Sequence, residues 1–205
     1  MYYIGILFIV ILILFILTRQ RSHIHKVIPY KHNTTIKIVN RDFSEGLPHT
    51  CDSDTIVIPE NVWNSSHKEA TLLHEYVHIE QRRNLDKWYK FYEEEWGYTK
   101  YDGLFNYIRP NPDTSDHPLM IWRKRYVFVS LFTHTRSLKD AKTHVYDVLT
   151  NAFVTIPDSW RSFFESDTYR VYQNEHPHEI AAEYLTKKPN TKAAQILYQW
   201  KSRNE

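Results

Sequence analysis

His74-Glu75-Tyr76-Val77-His78 decides how this 205-residue chain is read. On a helix, residues four apart lie on one face about 40° from each other, so both imidazoles can reach one ion. Glu75 stands one step around, beside such an ion rather than on it. There its carboxylate can take a proton from water attacking a carbonyl. The bland alternative is a helix that carries two solvated or core histidines. The flanking residues favour the metal. Ser66 and Glu69 stand at capping-box spacing, so a helix is expected from there to about Arg83, directly after a strand-like run.

Outward from the motif, Thr34–Val39 alternates and is β-branched, the pattern of a strand. Asp54-Thr55-Ile56-Val57-Ile58 is a second, ended by Pro59. On the other side a helix is expected through Trp88 and Tyr92, and Asn111-Pro112-Asp113-Thr114-Ser115-Asp116 must be a loop. Further helices are expected over Met120–Phe132, Ala141–Phe153, Ser159–Phe164 and Pro177–Thr186, with a closing helix from Asn190 to Trp200. The predicted fold class is α+β and mostly helical, with the strands early.

Met1 to Thr18 contains no charged side chain, and Ile4 to Leu17 is almost wholly aliphatic. Eighteen helical residues span roughly 27 Å, enough for a bilayer core. No basic segment precedes the run and no small-x-small cleavage site precedes Arg19, so it reads as an uncleaved anchor rather than a signal peptide. The expected organisation is a transmembrane helix at 1–18, a basic linker at 19–33 and a single folded domain at 34–205. Arg19, Arg21 and Lys26 follow the anchor, which by the positive-inside rule puts the body in the cytoplasm. The sequons at Asn33 and Asn64 would carry glycans only in the opposite orientation.

Composition narrows the function classes. Lys+Arg 26 against Asp+Glu 24 gives a net charge of +2, with no basic excess to suggest a nucleic-acid partner. One cysteine, Cys51, excludes an internal disulfide and a cysteine-built zinc ribbon, so a metal site here must use His and carboxylate. No glycine-rich phosphate loop is present.

The strand, the capped helix and H-E-x-x-H together resemble the zincin metallopeptidases. The metzincin branch needs Gly at position 81 and His at 84, where this chain has Gln81 and Asn84. The resemblance is therefore to the gluzincins, which implies Zn2+ held by His74, His78 and a glutamate from a later helix, with Glu75 as the catalytic base. Two candidates compete for the glutamate. Glu93, Glu94 and Glu95 have the conventional short spacing but stand three charges in a row, like a solvated face. Glu179 follows Pro177, which can open a helix, and Ala182 would let that helix approach closely. Glu179 is the favoured ligand, with Glu183 a candidate to orient a ligand histidine. His176 and His178 are alternative ligands.

The layout is also similar to a set of H-E-x-x-H-x-x-Q proteins seen in large DNA viruses, algae and bacteria. That set carries an aromatic-Gly element, an Asn-Pro-Asp loop and a late E-H-P-x-E-x-x-A segment. Here these are Trp96-Gly97-Tyr98, Arg109-Pro110-Asn111-Pro112-Asp113, and Glu175 to Ala182. The likeness covers residues 55 to 185. It implies a zincin fold with a long insertion and names no substrate.

Weaker candidates complete the set. Gln81 shares the metal face and can bind a ligand histidine or substrate, or be a surface glutamine. Asp113 and Arg109 are candidates for the cleft wall, and His144 or Tyr184 for steadying an oxyanion. Tyr30, His32, His117 and His134 are read as structural. The expected function is a membrane-anchored zinc metallopeptidase acting on peptide or protein substrates. The alternatives are an idle zincin-fold membrane or virion component, and a zinc hydrolase acting on something other than peptides.

Overall fold

Ile36, Ile38, Ile56 and Ile58 are aliphatic, β-branched and almost fully buried, and they pair directly across two parallel strands. Those strands, β2 (Thr34–Val39) and β4 (Thr55–Pro59), form the centre of a four-stranded sheet. β1 (Ile24–Tyr30) lies antiparallel outside β2, and β3 (His49–Cys51) antiparallel outside β4. The computed structural model describes residues 24–40, 46–109, 111–132 and 141–204. The anchor at 1–18 and His134 lie outside the described residues, and no helix among those described is long and apolar enough to cross a membrane.

Within the segment expected as a basic linker at 19–33, Ile24–Tyr30 is strand β1. Its residues are mostly exposed, and Pro29 is tolerated because an edge strand can forgo one ladder hydrogen bond. The chain forms two compact units divided between Leu72 and Leu73.

The first unit holds the four-stranded sheet and the short helix α1 (Glu60–Trp63), and includes the start of α2 (Lys68–Arg83). The hydroxyl in the turn before α2 is that of Ser65, not Ser66. It donates to the Val62 carbonyl at 2.8 Å and accepts the His67 amide at 3.2 Å.

The second unit contains the rest of α2, then α3 (Leu85–Phe91), which runs on as one π-helical turn over Tyr92–Trp96. Gly97 ends that turn at φ 76°, a left-handed conformation natural to glycine, and the chain enters β5 (Tyr98–Tyr101). An antiparallel meander follows in the order β5, β6 (Leu119–Trp122), β7 (Tyr126–Phe132), β8 (Ala141–Asp147) and β9 (Ala152–Val154). Helices α4 (Asp158–Phe164), α5 (Pro177–Lys187) and α6 (Lys192–Asn204) complete the unit. Its core is aromatic, with Trp88, Trp122, Trp160, Phe164 and Tyr184 wholly buried.

The helices expected over Met120–Phe132 and Ala141–Phe153 are therefore strands. Of the described residues 40% are helical and 29% are strand, so the fold is mixed α+β rather than mostly helical. Hairpin turns with two left-handed residues normally announce themselves as Asn-Gly or Asp-Gly. The β6–β7 turn places Arg123 and Lys124 at φ 49° and 55° instead. Without a turn residue, the run Met120–Phe132 looks continuous. Between β8 and β9 the signal is subtler: Asp147 accepts the Leu149 amide at 3.0 Å and Asn151 stands at φ 55°.

Candidate metal centre

Helix α2 carries His74 and His78 one turn apart, and helix α5 carries Glu179 in its first turn. Pro177 opens α5 at a position where its missing N–H costs nothing, and the His176 side chain caps the turn by accepting the His178 amide. The three side chains meet. His74 Nε2 and His78 Nε2 are 3.1 Å apart, and Glu179 Oε2 stands 3.4 and 3.5 Å from them. Ligand atoms about 2.0–2.1 Å from a tetrahedral zinc ion are about 3.3 Å from one another. The triangle has that size, and among the described residues it is the one group of three or more such side chains able to hold a metal ion.

The acceptors in the triangle are incompletely used. Glu179 Oε2 and Glu75 Oε2 are buried and make no hydrogen bond, an arrangement that costs free energy unless something else satisfies them. Burial acts to raise the Glu179 carboxyl, but His78 and then His74 hold it well below the usual carboxylate range. Burial acts to lower His78, and the carboxylates of Glu179 and Asp113 overcome this and push it up to about 10. Glu75 is raised well above the usual range by its own burial, then by Asp113 and Glu179.

A layer of hydrogen bonds fixes the ligands. Gln81 donates to the His178 carbonyl at 3.0 Å and to the Tyr92 hydroxyl at 3.2 Å, so its oxygen must face His78. His78 Nδ1 donates to that oxygen at 2.8 Å, which leaves Nε2 to face the triangle. The Tyr92 hydroxyl in turn donates to His178 Nδ1 at 2.9 Å. Glu179 is held from the other side, where Asn111 Nδ2 donates to its Oε1 at 2.9 Å and to Glu175 Oε1 at 3.2 Å. The Asn111 oxygen accepts the Asp113 amide at 3.1 Å, so the amide cannot turn round without losing both ends.

Several expected site residues lie elsewhere. Glu183, expected to orient a ligand histidine, accepts instead from the Tyr169 hydroxyl, the Tyr172 and Gln173 amides and Lys187. The Tyr184 hydroxyl donates to the Phe164 carbonyl within the aromatic core. His144 sits on β8 with its ring 5.5 Å from Phe153. Glu93, Glu94 and Glu95 are exposed on the π-turn, where Glu94 faces Lys90 and Glu95 faces Arg203. His176 and His178 are buried against each other and His117, outside the triangle. Burial and His117 lower His176 to about 3, and burial and His176 lower His178, so both rings are neutral.

Asp113 is buried close enough to Glu75 to act on its charge, and Arg109 stands 4.0 Å from Glu175. Sequence reasoning missed Asn111, Tyr92 and Glu175. The Asn-Pro-Asp loop was visible as a turn, but nothing in its residues pairs it with Glu179. Comparison with protein-family models, with curated proteins and with solved structures finds no match.

Proposed function

We propose that the chain is a membrane-anchored, zinc-dependent metallopeptidase. The observation that carries the reading is the triangle of His74, His78 and Glu179, with sides of 3.1 to 3.5 Å, beside the unbonded carboxylate oxygen of Glu75. Zinc bound there would supply a Lewis acid and acidify water to near-neutral pKa. Glu75 takes the proton from the attacking water and later delivers it to the leaving amine, so the peptide bond breaks with the proton conserved. Gln81 keeps the His78 imidazole in place while this happens, and Asn111 keeps Glu179. The anchoring at residues 1–18 rests on the uncharged run alone.

A closed structural centre in a membrane or virion component is the second reading, favoured by the burial of Glu75 to 4% exposure. Structural zinc sites usually have four protein ligands, however, and three leave one position open. The deciding experiment uses the full-length chain in detergent with zinc and a peptide library. Glu75→Gln should keep one zinc per chain while hydrolysis falls by about 10²–10⁴-fold. Equal hydrolysis by the variant, or a zinc-loaded wild type that cleaves no peptide, would falsify the peptidase assignment.

A further inference from the structure

A cavity of about 360 Å³ opens beside the triangle, lined among others by Ile108, Arg109, Asn111, Phe128, Val129 and Glu175. Its size lies at the lower end of small-ligand pockets, about 300–1,000 Å³. Asn111 links it to the metal centre, because the residue whose side chain holds Glu179 also lines the cavity. Anything seated there is one side chain away from a metal ligand.

Arg109 gives the cavity its chemistry. Its side chain is 17% exposed, and its closest charged partner among the described residues is Glu175 Oε1 at 4.0 Å, beyond hydrogen-bond reach. That oxygen already accepts from Asn111 at 3.2 Å. A guanidinium carries five donors in a planar fork, matched to a carboxylate. The root of the side chain is fixed: the Arg109 amide donates to the Ser130 carbonyl at 2.8 Å, and Ile108 bridges to Leu131. Ile108, Leu119, Phe128 and Val129 contribute apolar lining for an aliphatic stem.

We propose that this cavity is a substrate pocket that takes a carboxylate on a short aliphatic stem, received by Arg109. Its place beside the scissile bond rests on the peptidase reading; its chemistry does not. The carboxylate can belong to an acidic side chain or to a chain terminus, and the probes separate the two. Calorimetry on the full-length, zinc-loaded protein would compare N-acetyl-glutamate amide with N-acetyl-glutamine amide, and N-acetyl-leucine with its amide. N-acetyl-lysine amide tests whether Glu175 dominates instead.

At least one acid should bind about tenfold or more tightly than its uncharged isostere. Arg109→Gln should abolish the difference and Arg109→Lys should keep part of it, both with one zinc per chain. Equal binding of acids and amides, a preference for the lysine probe, or a preference that survives in Arg109→Gln would overturn the proposal. The last case would also mean that the carboxylate binds the metal. Should no peptide be cleaved while the Arg109-dependent preference holds, the peptidase reading fails and the carboxylate pocket stands.

Discussion

Glu179 and Glu183 lie one turn apart on α5, both buried, and they have opposite characters. Glu183 is saturated: a tyrosine hydroxyl, two backbone amides and a lysine donate to its two oxygens. Glu179 receives one donor, Asn111, on Oε1 and turns an unbonded Oε2 toward two imidazoles. A buried carboxylate whose lone pairs are all occupied ties the chain together. One that is held on one side and open on the other is placed to receive a ligand. The sequence favours Glu179 as the ligand from its place beside Pro177, but nothing in it shows that Glu183 is tied to Tyr169, two backbone amides and Lys187 instead of to a ligand histidine.

The sharpest way to break the contrast is to remove each carboxylate in turn. Glu179→Ala should weaken zinc binding by more than about 100-fold, beyond the effect of losing an outer partner. Glu183→Gln should leave zinc affinity within about threefold of wild type and lower stability by roughly 2–3 kcal/mol, as lost charge-assisted hydrogen bonds require. Zinc competition against a chelator and denaturant melts measure the two effects. A large zinc defect in Glu183→Gln would erase the distinction.

Next in size come the groups that hold the ligands. Gln81→Ala frees His78 to turn, and Asn111→Asp sets an acceptor against the Glu179 carboxylate. Each should cost about 10–100-fold in zinc affinity. Asn111→Asp should be the worse of the two, because its Oδ1 can still accept the Asp113 amide while its other oxygen repels Glu179.

An effect that is smaller for each pH unit concerns protons. With His78 at about 10 in the metal-free chain, it is protonated near neutral pH, and zinc must displace that proton. Calorimetry in buffers of different ionisation enthalpy should report about one proton released, and affinity should rise about tenfold per pH unit below pH 10. The metal-free protein has a matching stability window. The contribution of protonated His78 is complete below its unfolded pKa of about 6.5 and fades as pH rises through about 10. That of Glu179 is present above its unfolded carboxylate pKa and is lost as pH falls toward its depressed folded value. Zinc affinity independent of pH over this range would contradict the pairing of His78 with Glu179.

The central strands of the first sheet and the helix that carries the motif are legible in the sequence. β2 matches its predicted span, and β4 differs only at its ends, because both strands are bounded by strong local signals. Helix α5 was legible from Pro177 and Glu179 from its place beside it. The meander was not legible, because Arg123 and Lys124 turn a hairpin without glycine or asparagine and because aromatic strands packed on helices lack clean alternation. The ligand supports were half legible. Gln81 follows from its helical face, whereas Asn111 reaches Glu179 and Glu175 across gaps of 68 and 64 residues with no pattern linking the three.

Diffraction from zinc-loaded crystals at the zinc absorption edge tests the metal centre most directly. One anomalous peak should lie about 2.0–2.2 Å from His74 Nε2, His78 Nε2 and Glu179 Oε2, with a fourth position free of protein ligands. A peak on Glu93 to Glu95, on His176 and His178, or nowhere in the chain despite excess zinc would contradict it.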